Sequence, residues 1–136
     1  MIANAISDSA IKAVFAGQHE AHGVLKISDN EYLDYLPVLF KFSKTGLVTG
    51  YMFQIDNGAN GIDPLVSYKI TGKIYKVFGN NYSSYTAWAS GKFSDGTSWD
   101  LKIRTGIDSD GLNMVTGTGR IYKGTKSGII DILHNP

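Results

Sequence analysis

The sequence predicts an all-β fold, a single antiparallel β-barrel of about eight strands, with a β-sandwich as the alternative. Three observations predict it. Sixteen Gly, eight Tyr and six Phe stand against Glu20 and Glu31 as the glutamates, a composition that favours strands and turns over helices. Six or more runs of alternating apolar and polar residues are spaced by short turn clusters, with no convincing long helix. The last quarter, Val115-Thr-Gly-Thr-Gly-Arg-Ile-Tyr-Lys-Gly-Thr-Lys-Ser-Gly-Ile-Ile-Asp-Ile132, sets glycines inside strand-like runs. Such glycines mark bends, bulges or close backbone approach, as at the corner of a small barrel. At 136 residues the chain fits one domain over 1–136, with 1–10 an arm that is either flexible or an edge strand.

Along the chain, residues 10–27 read two ways. Ala10-Ile-Lys-Ala-Val-Phe-Ala16 suits a short helix, which Gly17 and Gly23 stop from extending. A hairpin of strands near 11–15 and 20–27 competes with it. Ser28-Asp-Asn-Glu31 is a turn cluster. Residues 35–42 alternate Leu36, Val38, Phe40 and Phe42 against Pro37, Leu39 and Lys41, with Pro37 pointing to a strand start or an edge. After the turn Lys44-Thr-Gly46, residues 47–55 place Leu47, Thr49, Tyr51, Phe53 and Ile55 on one face. Residues 56–64 are a loop by composition. The longest run, 65–78, sets Tyr68, Ile70, Gly72 and Ile74 on the face of Val66, and Lys69, Thr71, Lys73 and Tyr75 on the other. A turn at 79–81 returns the chain through 82–93, and Ser94-Asp-Gly-Thr97 turns it again. The cleanest alternation follows: Trp99, Leu101 and Ile103 inward, Asp100, Lys102 and Arg104 outward. Asp108-Ser-Asp-Gly111 leads into the glycine-rich end. Ile70-Thr-Gly-Lys-Ile-Tyr-Lys76 echoes Gly117-Thr-Gly-Arg-Ile-Tyr-Lys123, which reads as two strands meeting one steric demand, since a repeat protein needs a sustained period.

A formal net charge of +1 gives the whole chain no field to steer nucleic acid or an anionic membrane, so neither is expected as a partner. The absence of cysteine excludes disulfides, thiolate metal sites and a thiol nucleophile. Neither a signal peptide nor a membrane span is visible. The chain is expected to be soluble; its compartment stays open, with the cytoplasm slightly favoured.

His19-Glu20-Ala21-His22 is the cluster nearest to a metal site. On a strand His19 and His22 point to opposite faces, and the remaining His134 sits near the end, so no metal is expected. Glu20 and His22 share a face and form the candidate acid/base pair, with Glu20 the candidate catalytic group. No Gly-x-Ser-x-Gly elbow is present. Gly117-Thr-Gly-Arg-Ile-Tyr122 lacks the helix that a dinucleotide fingerprint needs, and Asp108-Ser-Asp-Gly111 lacks the closing Glu of a calcium loop. Aromatics are the richer signal: Tyr51, Phe53, Tyr68, Tyr85, Trp99 and Tyr122 are the candidate lining of a ligand cavity, and they serve equally well as ordinary core.

The segment Met114–Ile130, with Gly117-Thr118-Gly119, Tyr122, Gly124 and Gly128, resembles the final strands of the allene oxide cyclase and dirigent barrel superfamily. The resemblance implies an eight-stranded barrel of the lipocalin or allene oxide cyclase kind, commonly oligomeric, with an apolar lumen. It further implies steering of cyclisation or coupling of a reactive intermediate without a cofactor. The leading expectation is therefore a barrel that binds an apolar or amphipathic small molecule, acting as a cofactor-free cyclase or isomerase if it is an enzyme, and forming a homo-oligomer. The alternatives are a carbohydrate- or protein-binding surface module and a structural oligomer subunit.

Overall fold

The computed structural model describes residues 7–55, 66–80, 84–107 and 113–132. The first residues of the amino-terminal arm, the loop at 56–64, the apex of the turn at 79–81, Asp108-Ser-Asp-Gly111 and His134 lie outside them.

A short helix, α1 (Asp8–Val14), precedes eight strands: β1 (Gly17–Ser28), β2 (Glu31–Phe42), β3 (Leu47–Ile55), β4 (Val66–Asn80), β5 (Ser84–Phe93), β6 (Ser98–Ile107), β7 (Asn113–Lys123) and β8 (Lys126–Ile132). Each strand pairs antiparallel with the next, and β8 returns to pair with β1, closing the barrel. The meander follows from the turns: Asp29-Asn30, Lys44-Thr45-Gly46, Asp95-Gly96 and Gly124-Thr125 leave no room for crossovers.

The helix corrects the hairpin alternative at 11–15. Ser7 caps it, its side chain accepting from the Ala10 N–H at 3.2 Å, and Asp8 and Lys12 sit at the ends that the helix dipole favours. Ile11 and Phe15, four apart on one helix face, are both buried, and α1 packs on β4 and β5. The carbonyl of Phe15 accepts from His19 Nε2 at 3.0 Å, which ties the helix to the start of β1.

The buried apolar side chains form one core inside the barrel. Strand β2 supplies Tyr35, Val38, Phe40 and Phe42; β6 supplies Trp99, Leu101 and Ile103. On the β5 side the partners of β6 are small: Gly91, Ala89 and Ala87 pair with Trp99, Leu101 and Ile103. The Cβ of any residue at 72 would lie 2.5 Å from Trp99 Cζ2 and 2.4 Å from the Ser90 carbonyl oxygen. Glycine there lets the indole lie against the wall. Phe40 meets Trp99 edge to face, centroids 5.0 Å apart.

Strand β3 runs in the opposite phase to the expected one. Val48, Gly50 and Met52 are buried, while Leu47, Thr49 and Tyr51 are exposed. The outer face of β3 is simply richer in large apolar residues than its inner face, so apolarity alone misplaces it. No helix among the described residues is long and apolar enough to cross a membrane.

Candidate functional site

The interior and the outer wall are chemically distinct, and charge collects on the outside of β4–β7. Alternation in β4 turns Lys69, Thr71 and Lys73 outward while Ile70 and Ile74 are buried. An irregularity between Ile74 and Lys76 then sets Tyr75 and Lys76 outward together. Lys92 stands exposed on β5, Lys102 and Arg104 on β6, and Arg120 on β7. Asp100 is the sole carboxylate in these four strands.

Register gathers the charges. Lys76 pairs with Trp88, Trp88 with Lys102, and Lys102 with Thr118, a row running across four strands. The ammonium of Lys76 sits 4.7 Å from the Trp88 ring centroid and that of Lys102 sits 5.6 Å away. Each such contact contributes about 0.5–1 kcal/mol at an exposed site. The indole therefore holds two like charges near each other that would otherwise separate in water. Arg104 lies opposite Thr116. Neither these three cations nor Lys73 forms an ion pair with a carboxylate among the described residues.

An open groove of about 400 Å³ lies between β6 and β7, lined by Lys102, Arg104, Thr116, Gly117 and Thr118. Two cations, two hydroxyls and a bare glycine backbone, with no carboxylate in the lining, suit an anion: guanidinium and ammonium supply charge, and threonine hydroxyls donate hydrogen bonds. A second groove of about 260 Å³ continues along β7, lined by Arg120, Ile121, Tyr122 and Ser127. Asp100 lies at its side, 4.0 Å from the Arg120 guanidinium. Asp131, paired in register with Thr118, marks the edge of the face on β8.

The residues singled out in the sequence divide between inside and outside. Trp99 is fully buried, and Tyr68 and Tyr85 are half-buried against the core. Tyr51 and Tyr122 are 45% and 42% exposed on the outer surface, and Phe53 is half-buried on the outer side of β3. The six therefore do not converge on one lumenal wall. Glu20 is exposed on the outside of β1, opposite Leu39, and does not reach the interior. His22 shares its face and approaches Asp34 Oδ1 at 3.9 Å, while His19 turns inward against Phe42. Among the described residues no three His, Asp or Glu side chains gather as metal ligands.

Sequence reasoning missed one buried polar cluster at the end of the barrel opposite α1. Asp95 accepts from the Thr97 N–H and hydroxyl, both at 2.9 Å, and Thr97 Oγ1 lies 3.5 Å from the Tyr35 hydroxyl. Burial pushes the Tyr35 phenol above its usual pKa, and the negative Asp95 adds to the shift, against the hydrogen bond to Thr97. The signal was present in Ser94-Asp-Gly-Thr97, where an Asp two residues before a Thr folds back on the turn's own backbone.

No family model, curated protein or solved structure matches the chain.

Proposed function

We propose that this barrel is a surface-binding module that holds an anionic ligand on the outer face of β4–β7. One observation carries the reading: Lys102 and Arg104, unpaired by any described carboxylate, line an open groove with the Thr116 and Thr118 hydroxyls. Catalysis in the lumen has less support, because Glu20 lies outside the barrel.

The test is titration with inorganic sulfate followed by amide chemical shifts. Shifts confined to residues around 102–104 and 116–118, and lost in Lys102→Glu/Arg104→Glu, are expected. The control reversal Lys26→Glu/Lys41→Glu, on the other side of the wall, should leave them in place. Shifts that survive the first reversal or vanish with the control overturn the reading.

A second reading rests on Trp99, whose buried Nε1–H has no acceptor among the described residues. An unsatisfied buried donor costs about 1–3 kcal/mol, and an apolar small molecule carrying an acceptor would satisfy it. This reading retains the lumenal cyclase or isomerase as the function. Native mass spectrometry of protein from its own host, before and after denaturation, tests it: a small molecule released on unfolding supports it, and a bare chain counts against it.

A further inference from the structure

We infer that the cationic face is a track for an extended acidic polysaccharide, rather than a pocket for a single small anion; the inference rests on the surface-binding reading above. The two grooves follow one another along β7, the first on its β6 side and the second on its β8 side. Its outward residues Thr116, Thr118, Arg120 and Tyr122 span about 20 Å at the strand rise of ~3.3 Å per residue, longer than any single sulfate or carboxylate group. Positive charge recurs along that length. Lys102 and Arg104 flank its first groove, Arg120 lines its second, and the exposed Lys123 and Lys126 stand at the hairpin where β7 meets β8. Hydroxyls of Thr116, Thr118 and Ser127 sit between the charges, placed to bond to sugar or sulfate oxygens.

Three observations choose among linear polyanions and related partners. A single-stranded nucleic acid is held chiefly by bases stacking on successive aromatic faces. Here the track offers a single aromatic face, Tyr122 in the second groove, rather than a succession; the first groove contains none, and Trp88 beside it already has the ammonium groups of Lys76 and Lys102 against its ring. An acidic peptide binding as an added strand needs a free sheet edge, and the barrel closes β8 onto β1. Charge complementarity instead favours a chain with acid groups at regular intervals along its whole length. Asp100 and Asp131 border the track, and Lys123 lies 4.0 Å from Asp95. These carboxylates limit the path to the line of β7.

The experiment compares inorganic sulfate with sulfated heparin-type oligosaccharides of two, four, six and eight sugars, by calorimetry at two salt concentrations. The result expected is at least a tenfold gain in affinity from the shortest to the hexasaccharide, followed by a plateau. Higher salt should weaken the long chains more than the short ones. Arg120→Glu should remove most of the length gain. Sulfate binding with no length gain overturns the track and leaves the surface-binding reading standing. No binding of either probe overturns both. A single-stranded oligothymidylate that binds as tightly as the hexasaccharide overturns the polysaccharide assignment.

Discussion

The two halves of the barrel wall share the core and differ on their outer faces. On β4–β7 the outer face is cationic, and several inner positions are small: Gly72, Ala87, Ala89, Gly91, Gly117 and Gly119. On β8, β1, β2 and β3 the outer face is mixed, with Glu20, Asp34 and Asp131 beside Lys26 and Lys41, while β2 projects Tyr35, Phe40 and Phe42 inward. Both halves supply the core, β4–β7 with Ile70, Ile74, Phe93, Leu101, Ile103 and Ile121 and the other half chiefly through β2, while the cationic face belongs to β4–β7. Trp99 joins the two halves: it belongs to β6, lies against Gly72 and is packed by Phe40 of β2. A net charge near zero thus conceals a local field, because sorting by strand register is invisible in a sum.

The comparison breaks first at Phe40. Truncation to Ala should cost about 3–5 kcal/mol, through lost burial and a cavity beside Trp99. In urea denaturation this appears as a lower midpoint with an unchanged slope. If the loss stays under about 1 kcal/mol, Phe40 does not fill the core beside Trp99. The next test adds bulk beside Trp99, on the wall that carries the cations. Gly72→Ala should cost about 1–3 kcal/mol by overpacking and alter the near-ultraviolet signal of Trp99. An unchanged spectrum at full stability would mean that the wall has slack there.

The smallest effect concerns pH. Tyr35 has its phenol pKa raised in the folded state, so folding favours the neutral form. That stabilisation is fully present below the phenol's ordinary pKa of about 10 and is lost as pH rises through the folded value. Tyr35→Phe should match the wild type near neutrality, since the Thr97 contact is long at 3.5 Å, and should lose less stability above about pH 10. Equal alkaline loss in both proteins would assign the titration to other groups.

How much of this was legible varies along the chain. The barrel itself, and the inward row Trp99, Leu101 and Ile103, follow from strict alternation with Asp100, Lys102 and Arg104, where polarity and geometry agree. Strand β3 misleads because Leu47, Tyr51 and Phe53 are larger than the Val48, Gly50 and Met52 that the core takes. The helix α1 was one of two readings, decided by the Ser7 cap and by the joint burial of Ile11 and Phe15. The groove was not legible at all. Each of its residues is ordinary alone, and only the β6–β7 register sets Arg104 beside Thr116 and Lys102 beside Thr118. The echoed segments show the same limit: Lys73 and Arg120 occupy matching positions, yet their shared outward face emerges only once Asp100 lies between Ser90 and Arg120.

A meander that closes on itself has a single seam, and here it runs from Ala21 paired with Ile132 to Lys26 paired with Ser127. Every other pairing joins neighbours in sequence and forms by local search. The seam joins strands separated by almost the whole chain, so its closure entropy makes it slow to form. Until it closes, β1 and β8 are both unpaired ladders, complementary to each other and equally so to those of a second chain. The same feature that leaves the finished molecule without an edge thus concentrates its whole risk of strand exchange and aggregation in one kinetic step.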